Sequence, residues 1–319
     1  MKIAFLFPGQ GSQTVGMGKD LYEEFDSYRK IYEDVKNITG IDILKITFED
    51  EEKLNQTKYT QLAILVESLA ILKVLEEKGI DKSLVNISCG LSLGEYTSLI
   101  YSNVFSFEEG ISLVKSRGEF MQDLLPKDGE WKMAAVMGLS DDKVIDACNK
   151  VSCGFVKPVN FNYEGQVAIS GDSLGVDNAS QILKEMGAKK VRVLNTSGPF
   201  HTEKLIESSK ALRSKLEKVN INNKAFNEFT VYKNIDGEKY DSNDDVKDIL
   251  ANHIVNPVRF SKIINNLLSS GVDTFIEVGP GKTLSGFIKR TNTDKELNIL
   301  NINDLNSLNE TAKFINENK

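Results

Sequence analysis

The apolar positions of this chain change their spacing along its length, and the changes mark out its elements. Ile3–Phe7 is an unbroken apolar run that predicts a buried strand, ended by Pro8-Gly9. Asp20–Val35 carries a helical pattern, and Thr60–Lys78 is apolar on most faces, which predicts a central helix. The short run Leu84–Cys89 predicts a second buried strand, Glu95–Ile100 a helix start, and Phe107–Leu124 a further helix. Strand alternating with helix in this way is the pattern of an α/β sheet.

From Trp131 the rhythm shortens. Trp131–Met137 predicts a strand, Asp141–Lys150 a helix capped by Ser140, Val156–Phe161 and Val167–Ser170 two strands, Ser173–Met186 a helix and Lys189–Leu194 a strand. That order, βαββαβ, is the ferredoxin-like unit. Alternation then resumes: strand Asp273–Val278, helix Lys282–Lys289, strand Leu297–Ile302 and a closing helix Leu305–Asn316. The prediction is an α/β body of residues 1–127 and 199–319, with a small ferredoxin-like subdomain, residues 128–198, inserted into it.

Composition narrows the field without choosing a function. A chain of 319 residues with 40% hydrophobic and 27% charged side chains is an ordinary globular protein of one or two domains. It has no run of 18 apolar residues, and its N-terminal apolar run is too short for a signal peptide, so neither a membrane span nor a leader is expected. Cys89, Cys148 and Cys153 form no C-x-x-C pair, which argues against a disulfide framework or a zinc site and fits a reducing cytoplasm. A net charge of −7 argues against a general nucleic-acid binder. Only six of the 39 basic residues are arginine, so each arginine is a candidate for bidentate anion recognition.

The candidate chemistry centres on Gly90-Leu91-Ser92-Leu93-Gly94, which fits G-x-S-x-G between a predicted strand and a predicted helix. There the serine Oγ stands at the tip of a sharp bend. Serine needs a base to take its proton, and the chain offers only His201 and His253. His201 follows a Gly-Pro loop and precedes the helical run Glu203–Lys218, where the helix dipole would favour a neutral imidazole. The loop Phe7–Gln13 suits close backbone approach to a ligand but lacks the third glycine of a dinucleotide fingerprint, so on residues alone it reads as a plain turn at least as well as a site; Gly279-Pro280-Gly281-Lys282-Thr283 lacks the leading glycine of a P-loop and reads as a strand-to-helix turn. Arg117 lies in a predicted helix, where by default an arginine is a solvated surface charge.

Taken together these segments resemble the malonyl-CoA:acyl carrier protein transacylase family. The resemblance rests on Phe7–Gln13 (F-P-G-Q-G-S-Q), Gly90–Tyr96, Arg117-Gly118-Glu119-Phe120-Met121, and Asn160-Phe161-Asn162 with Gly165–Gly171. It extends through Gly198-Pro199-Phe200-His201, Asn256–Phe260 and Glu277–Lys282, seven motifs in the family's order over almost the whole chain. It implies an α/β-hydrolase-like core with a parallel sheet and the inserted ferredoxin-like subdomain, the active site lying between them. It implies Ser92 as nucleophile, His201 as base, and the backbone N–H groups of Gln10 and Leu93 as an oxyanion hole. Arg117, Asn162 and Phe200 are the implied substrate-binding residues, with Arg117 on the malonyl carboxylate and Phe200 crowding any α-methyl group. Malonyl-CoA, coenzyme A and acyl carrier protein are the implied partners of a cytoplasmic monomer, with no metal and no cofactor.

Two positions depart from the family's pattern. Leu91 stands where a histidine is usual, and His253 where a glutamine is usual. The latter acts in the family through its backbone carbonyl, so His253 is expected to orient His201 and not to be a second base. The alternative reading is a serine thioesterase or hydrolase using the same Ser92–His201 pair, with water as acceptor. A third reading is a non-catalytic carrier-protein docking module.

Overall fold

The first strand is buried on both faces, with Ile3, Phe5 and Phe7 in one core and Ala4 and Leu6 in another. This is the signature of a central parallel strand sandwiched between helical layers. A computed structural model of the chain describes residues 1–127, 129–194, 198–291 and 293–318. In chain order, β1 (Ile3–Phe7) is followed by α1 (Lys19–Glu24), α2 (Asp26–Thr39), α3 (Ile43–Glu49), α4 (Glu51–Leu54) and α5 (Thr57–Glu77). Then come β2 (Ile87–Gly90), α6 (Leu93–Tyr101) and α7 (Phe107–Asp123). The next six elements are β3 (Trp131–Met137), α8 (Asp141–Asn149), β4 (Val156–Tyr163), β5 (Gln166–Asp172), α9 (Ser173–Glu185) and β6 (Lys190–Val193). The return carries α10 (Ile206–Leu216), β7 (Thr230–Val231), α11 (Val246–His253) and α12 (Phe260–Ser269). It closes with β8 (Thr274–Val278), α13 (Thr283–Arg290), β9 (Asn298–Ile302) and α14 (Leu305–Asn318).

These strands make two sheets. The larger is wholly parallel in the order β7-β2-β1-β8-β9. The chain steps from β1 to β2 on one side and later to β8 on the other. The carboxyl ends of β1, β2 and β8 therefore open into one crevice, where α/β sheets place their ligands. The smaller sheet is antiparallel in the order β4-β5-β3-β6, the pairing of a βαββαβ unit. Along β3 the pleat alternates: Ala134 and Val136 pack with Val144, Val176 and Leu183 of α8 and α9, while Met133, Ala135 and Met137 face the crevice.

The small lobe is tied down by more than its two chain crossings. Phe161 N–H donates to Val258 O (2.9 Å), and Val258 N–H donates to Val159 O (2.8 Å). The predicted start of this lobe at 128, and residues 195–197 near its predicted end, lie outside the described residues. Among the described residues no helix is long and apolar enough to cross a membrane.

Several local predictions need correction. The helix expected over Asp20–Val35 is two helices, broken where Phe25 takes an extended conformation. The run expected to be one helix over Glu203–Lys218 opens with a 3-10 turn, Glu203–Leu205, before α10. Ser140 stands at the N-cap of α8, but its hydroxyl caps nothing. Helices α3 and α4 were not predicted, although Asp42 and Asp50 cap them by accepting from Lys45 N–H and Lys53 N–H.

Candidate active site

Between β2 and α6 only Leu91 and Ser92 make the turn, and Ser92 is forced to φ 52°, ψ −95°. A non-glycine residue adopts such a backbone only when its surroundings hold it there. Here they do. A Cβ on Gly90 would collide with the backbone of Gly94, and one on Gly94 would collide with the Phe7 carbonyl. Leu91 N–H donates to Phe7 O (3.0 Å), locking the turn to the end of β1. The Asn234 side chain spans the bend, accepting from Ser92 N–H (2.8 Å) and donating to Gly90 O (2.8 Å).

Ser92 Oγ lies 2.9 Å from Nε2 of His201. Nδ1 of the same ring faces the carbonyl oxygens of His253 (3.0 Å) and Asn256 (3.1 Å). Two acceptors at Nδ1 place the proton there, which leaves the Nε2 lone pair for the serine proton. Both carbonyls are available because α11 ends at His253, where backbone acceptors outrun their helical donors. Burial, and then the neighbouring His253 and Arg117, hold the His201 imidazole well below its usual range, so it is neutral at neutral pH. The helix dipole expected from sequence is not the cause, because α10 starts only at Ile206. The His253 ring stacks near that of His201, centroids 4.7 Å apart, and its Nδ1 lies 3.2 Å from Oε2 of Glu95.

Arg117 is 1% exposed, against the surface default for a helical arginine. Its Nη1 donates to Gln61 Oε1 (2.6 Å), and its Nη2 donates to Ser92 Oγ (3.0 Å). The guanidinium sits 5.0 Å from the Tyr96 ring centre, and its Nε has no partner among the described residues. Nor does any carboxylate there come within ion-pair distance of it. Gly118 makes this placement possible: a Cβ there would stand 2.8 Å from Lys58 Cα, so only glycine lets α7 approach α5 so closely.

These groups open into a cleft of about 540 Å³ between the two lobes. The loop Gly9–Gln13 and the helix residues Gln61 and Met121 wall one side, and Met133, Asn162, Gln166 and Arg192 of the small sheet wall the other. Gln10 is half-buried, its Nε2 donating to Thr57 Oγ1 (3.2 Å). Asn162 Nδ2 donates to Gln166 Oε1 (3.2 Å), while Asn162 Oδ1 has no partner among the described residues. Phe200 is buried beside His201, and Leu93 opens α6, where its N–H lacks an intrahelical acceptor. Seven of the eight residues singled out from sequence thus line one cleft, and the eighth, His253, lies behind His201.

Sequence reasoning missed Gln61, Asn234, Glu95 and the Asn256 carbonyl. Gln61 did carry a signal, as a polar residue in an otherwise apolar stretch; a lone asparagine such as Asn234 carries none. The turn after β8 binds no phosphate by its helix end, because Glu277 already accepts from Leu284 N–H (3.0 Å) and Ser285 N–H (2.7 Å). Among the described residues no group of three or more His, Cys, Asp or Glu is placed to hold a metal ion.

Comparison with known proteins places this geometry. A family model described as acyl transferase domain matches residues 4–309. The malonyl CoA-acyl carrier protein transacylase of Bacillus subtilis is 38% identical over 294 residues, 91% of this chain and 90% of that protein. The solved structure of the malonyl CoA-acyl carrier protein transacylase from Clostridium perfringens superposes with a TM-score of 0.90 at 38% identity, covering 99% of this chain and 98% of that one. A malonyl-transacylase solved in complex with a type II PKS acyl-carrier protein superposes with a TM-score of 0.91 at 33% identity, covering 98% and 100%. With matches of this extent, and with a serine elbow, a buried histidine and a buried arginine meeting at one cleft, the chain belongs to the malonyl CoA-acyl carrier protein transacylase family.

Proposed function

We propose that this chain moves the malonyl group of malonyl-CoA to the phosphopantetheine thiol of acyl carrier protein by way of an ester on Ser92. In the first half, His201 Nε2 takes the Ser92 proton as Oγ bonds to the thioester carbonyl carbon. The C–S bond then breaks, and the proton passes from His201 to the departing coenzyme A sulfur. In the second half the carrier thiol gives its proton to His201, and its sulfur attacks the ester carbon. Ser92 Oγ leaves and recovers the proton. The oxyanion of each tetrahedral intermediate is assigned to the N–H groups of Leu93 and Gln10; one such donor typically contributes ~3 kcal/mol. The chemistry draws on no metal or redox cofactor. We assign the enzyme to the cytoplasm, in keeping with three cysteines that form no C-x-x-C pair, and the solved complex of a related transacylase with its carrier supports the carrier as acceptor.

One observation carries the reading: a fully buried, carboxylate-free arginine beside the serine. A cation in that position lacks an anionic partner until the substrate supplies one. Malonyl ends in a carboxylate and acetyl does not. Competition between malonyl-CoA and acetyl-CoA, scored by intact mass of the acyl-enzyme, tests this. Wild type should load malonate almost alone. Arg117→Ala should lose malonyl loading and gain acetyl loading relative to it, and Arg117→Lys should recover only part, since an ammonium cannot make two parallel hydrogen bonds. An unchanged preference ratio in Arg117→Ala would remove Arg117 from substrate recognition.

A further inference from the structure

A second cavity, of about 990 Å³, lies at the end of α6 remote from Ser92 and shares no lining residue with the catalytic cleft. Nine residues of helix, about 13 Å, separate the two. Its wall is largely apolar. Ile31 of α2, Leu72 of α5, Phe107 of α7 and Ile221 after α10 stand half-buried around it, beside the buried Ile80 and Ile100. Three carboxylates border the cavity, and each is already engaged. Glu76 pairs with Lys73 (2.5 Å), and Asp81 accepts from Ser83 N–H (2.9 Å) and Oγ (2.6 Å). Glu109 accepts from Ser106 Oγ (2.9 Å) and from Asn220 N–H and Nδ2 (both 3.0 Å). Two lysines there have no carboxylate within ion-pair distance among the described residues. Lys224 is exposed and its ammonium has no partner. Lys82 is half-buried, and only neutral groups hold it. Asn103, at φ 61°, turns its Oδ1 onto the ammonium (2.5 Å), which lies 5.7 Å from the Tyr101 ring centre. Burial pulls the Lys82 ammonium below the ordinary lysine range.

We propose that this cavity binds a single-chain amphiphile with a carboxylate head, the head on Lys82 and Lys224 and the hydrocarbon chain against Leu72, Ile100 and Phe107. An apolar wall with a few convergent polar groups is the make-up of a ligand site. The spare charge at this one is cationic, because its acids are satisfied and two of its lysines are not. An ammonium drawn partly out of water without a countercharge gains from an anion. No arginine lines the cavity, so the forked donor set that suits a phosphate is missing, and two point-charge lysines suit a carboxylate. The site stands independently of the Ser92 and His201 chemistry.

The test is calorimetric titration of the full chain with octanoate, decanoate and dodecanoate below their micelle concentrations, with dodecylammonium as the cationic twin. Binding should saturate at one site and tighten by about tenfold for each two methylenes added. Dodecylammonium should bind more weakly than dodecanoate. K82M keeps an apolar stem and removes the charge, so it should weaken dodecanoate by about fivefold or more and leave dodecylammonium unweakened. Absence of saturable binding overturns the proposal, as does affinity that ignores chain length or head charge, or a K82M variant that binds dodecanoate like wild type. If K82M fails to fold, the wild-type chain decides. Dodecanoate carrying a photoreactive diazirine near its tail should cross-link to peptides of α5, α6 or α7 that line this cavity. Cross-links confined to the catalytic cleft overturn the proposal. So does a ligand-free chain that sediments as a dimer and is dissociated by dodecanoate, since the cavity would then belong to a second copy.

Discussion

Ser92 is held from three sides: Oγ between His201 and Arg117, and N–H on the Asn234 side chain. The two contacts at Oγ act in the same chemical direction. His201 Nε2 withdraws the hydroxyl proton, while the Arg117 donor stabilises negative charge on the oxygen, so the alkoxide character that attack requires is supported at both ends. Ser92→Ala should therefore abolish the malonyl adduct in an intact-mass assay while leaving the melting temperature close to wild type; an adduct on the variant would refute the nucleophile. His201→Ala should slow transfer by at least about 10²-fold, the usual scale for a general base. The limb set by His201 lies on the acid side. The neutral ring is the active form, and burial holds it neutral well below pH 6.5, so activity should persist in mildly acidic buffer and fall only at lower pH. A rate that fell away already near pH 7 would contradict the neutral base. None of this was visible at Arg117 from its own surroundings in sequence. A helical arginine reads as solvated, and only the resemblance of its Arg-Gly motif pointed inward, for which Gly118 now supplies the physical reason.

At the scale of elements, the elbow is a contact between the ends of β1 and β2, closed by glycines whose missing side chains leave room for backbone. Gly94→Ala should fail more severely than its conservative appearance suggests. The added methyl meets the Phe7 carbonyl, so the turn must open and carry Oγ away from His201. Soluble yield or melting temperature should drop, and any folded variant should label poorly at Ser92; wild-type labelling would show that the turn can yield. The parts read well from sequence were those with a strong local period. In the small lobe all six elements were predicted, although the cap expected at Ser140 makes no bond and the one at α9, Asp172, was not named. The stretch between α10 and β8 was not legible. β7 has two residues and α11 eight, too short for a period, and the side chains that matter there act through single long-range bonds. Asn234 reaches Gly90 across 144 positions of sequence, and no local pattern encodes such a contact. α12 is different: Phe260, Ile263, Ile264, Leu267 and Leu268 keep helical spacing, yet this helix was not predicted.

At the scale of the whole molecule, a buried acid in the large core ties stability to pH. Glu67 on α5 accepts from Tyr32 OH (3.0 Å) and from Tyr28 OH, and its Oε1 has no partner among the described residues. Burial outweighs these bonds and raises its pKa from 4.5 to about 7. The unfolded chain therefore releases this proton before the folded chain does. The contribution of Glu67 is intact below about pH 4.5, declines as pH rises to 7, and levels off beyond, a loss of roughly 3 kcal/mol across the window. Glu67→Gln keeps an acceptor for the tyrosines and removes the titration. The fall in melting temperature between pH 5 and 8 should be shallower in this variant than in wild type; parallel curves would assign the pH dependence elsewhere.

The join between the lobes has a consequence of a different kind. The chain contains a single tryptophan, Trp131, the first residue of β3. Its indole Nε1 donates to Pro126 O (2.9 Å), on the strand of chain leaving the body, and its ring lies 5.9 Å from Lys204 Nζ, on the strand returning. The indole emission of this protein thus arises at the join between its lobes. Emission excited selectively at the indole, without any label, reports whether coenzyme A or a carrier protein makes one lobe move against the other. A ligand that fills the cleft while leaving the spectrum unchanged has found the lobes already in place.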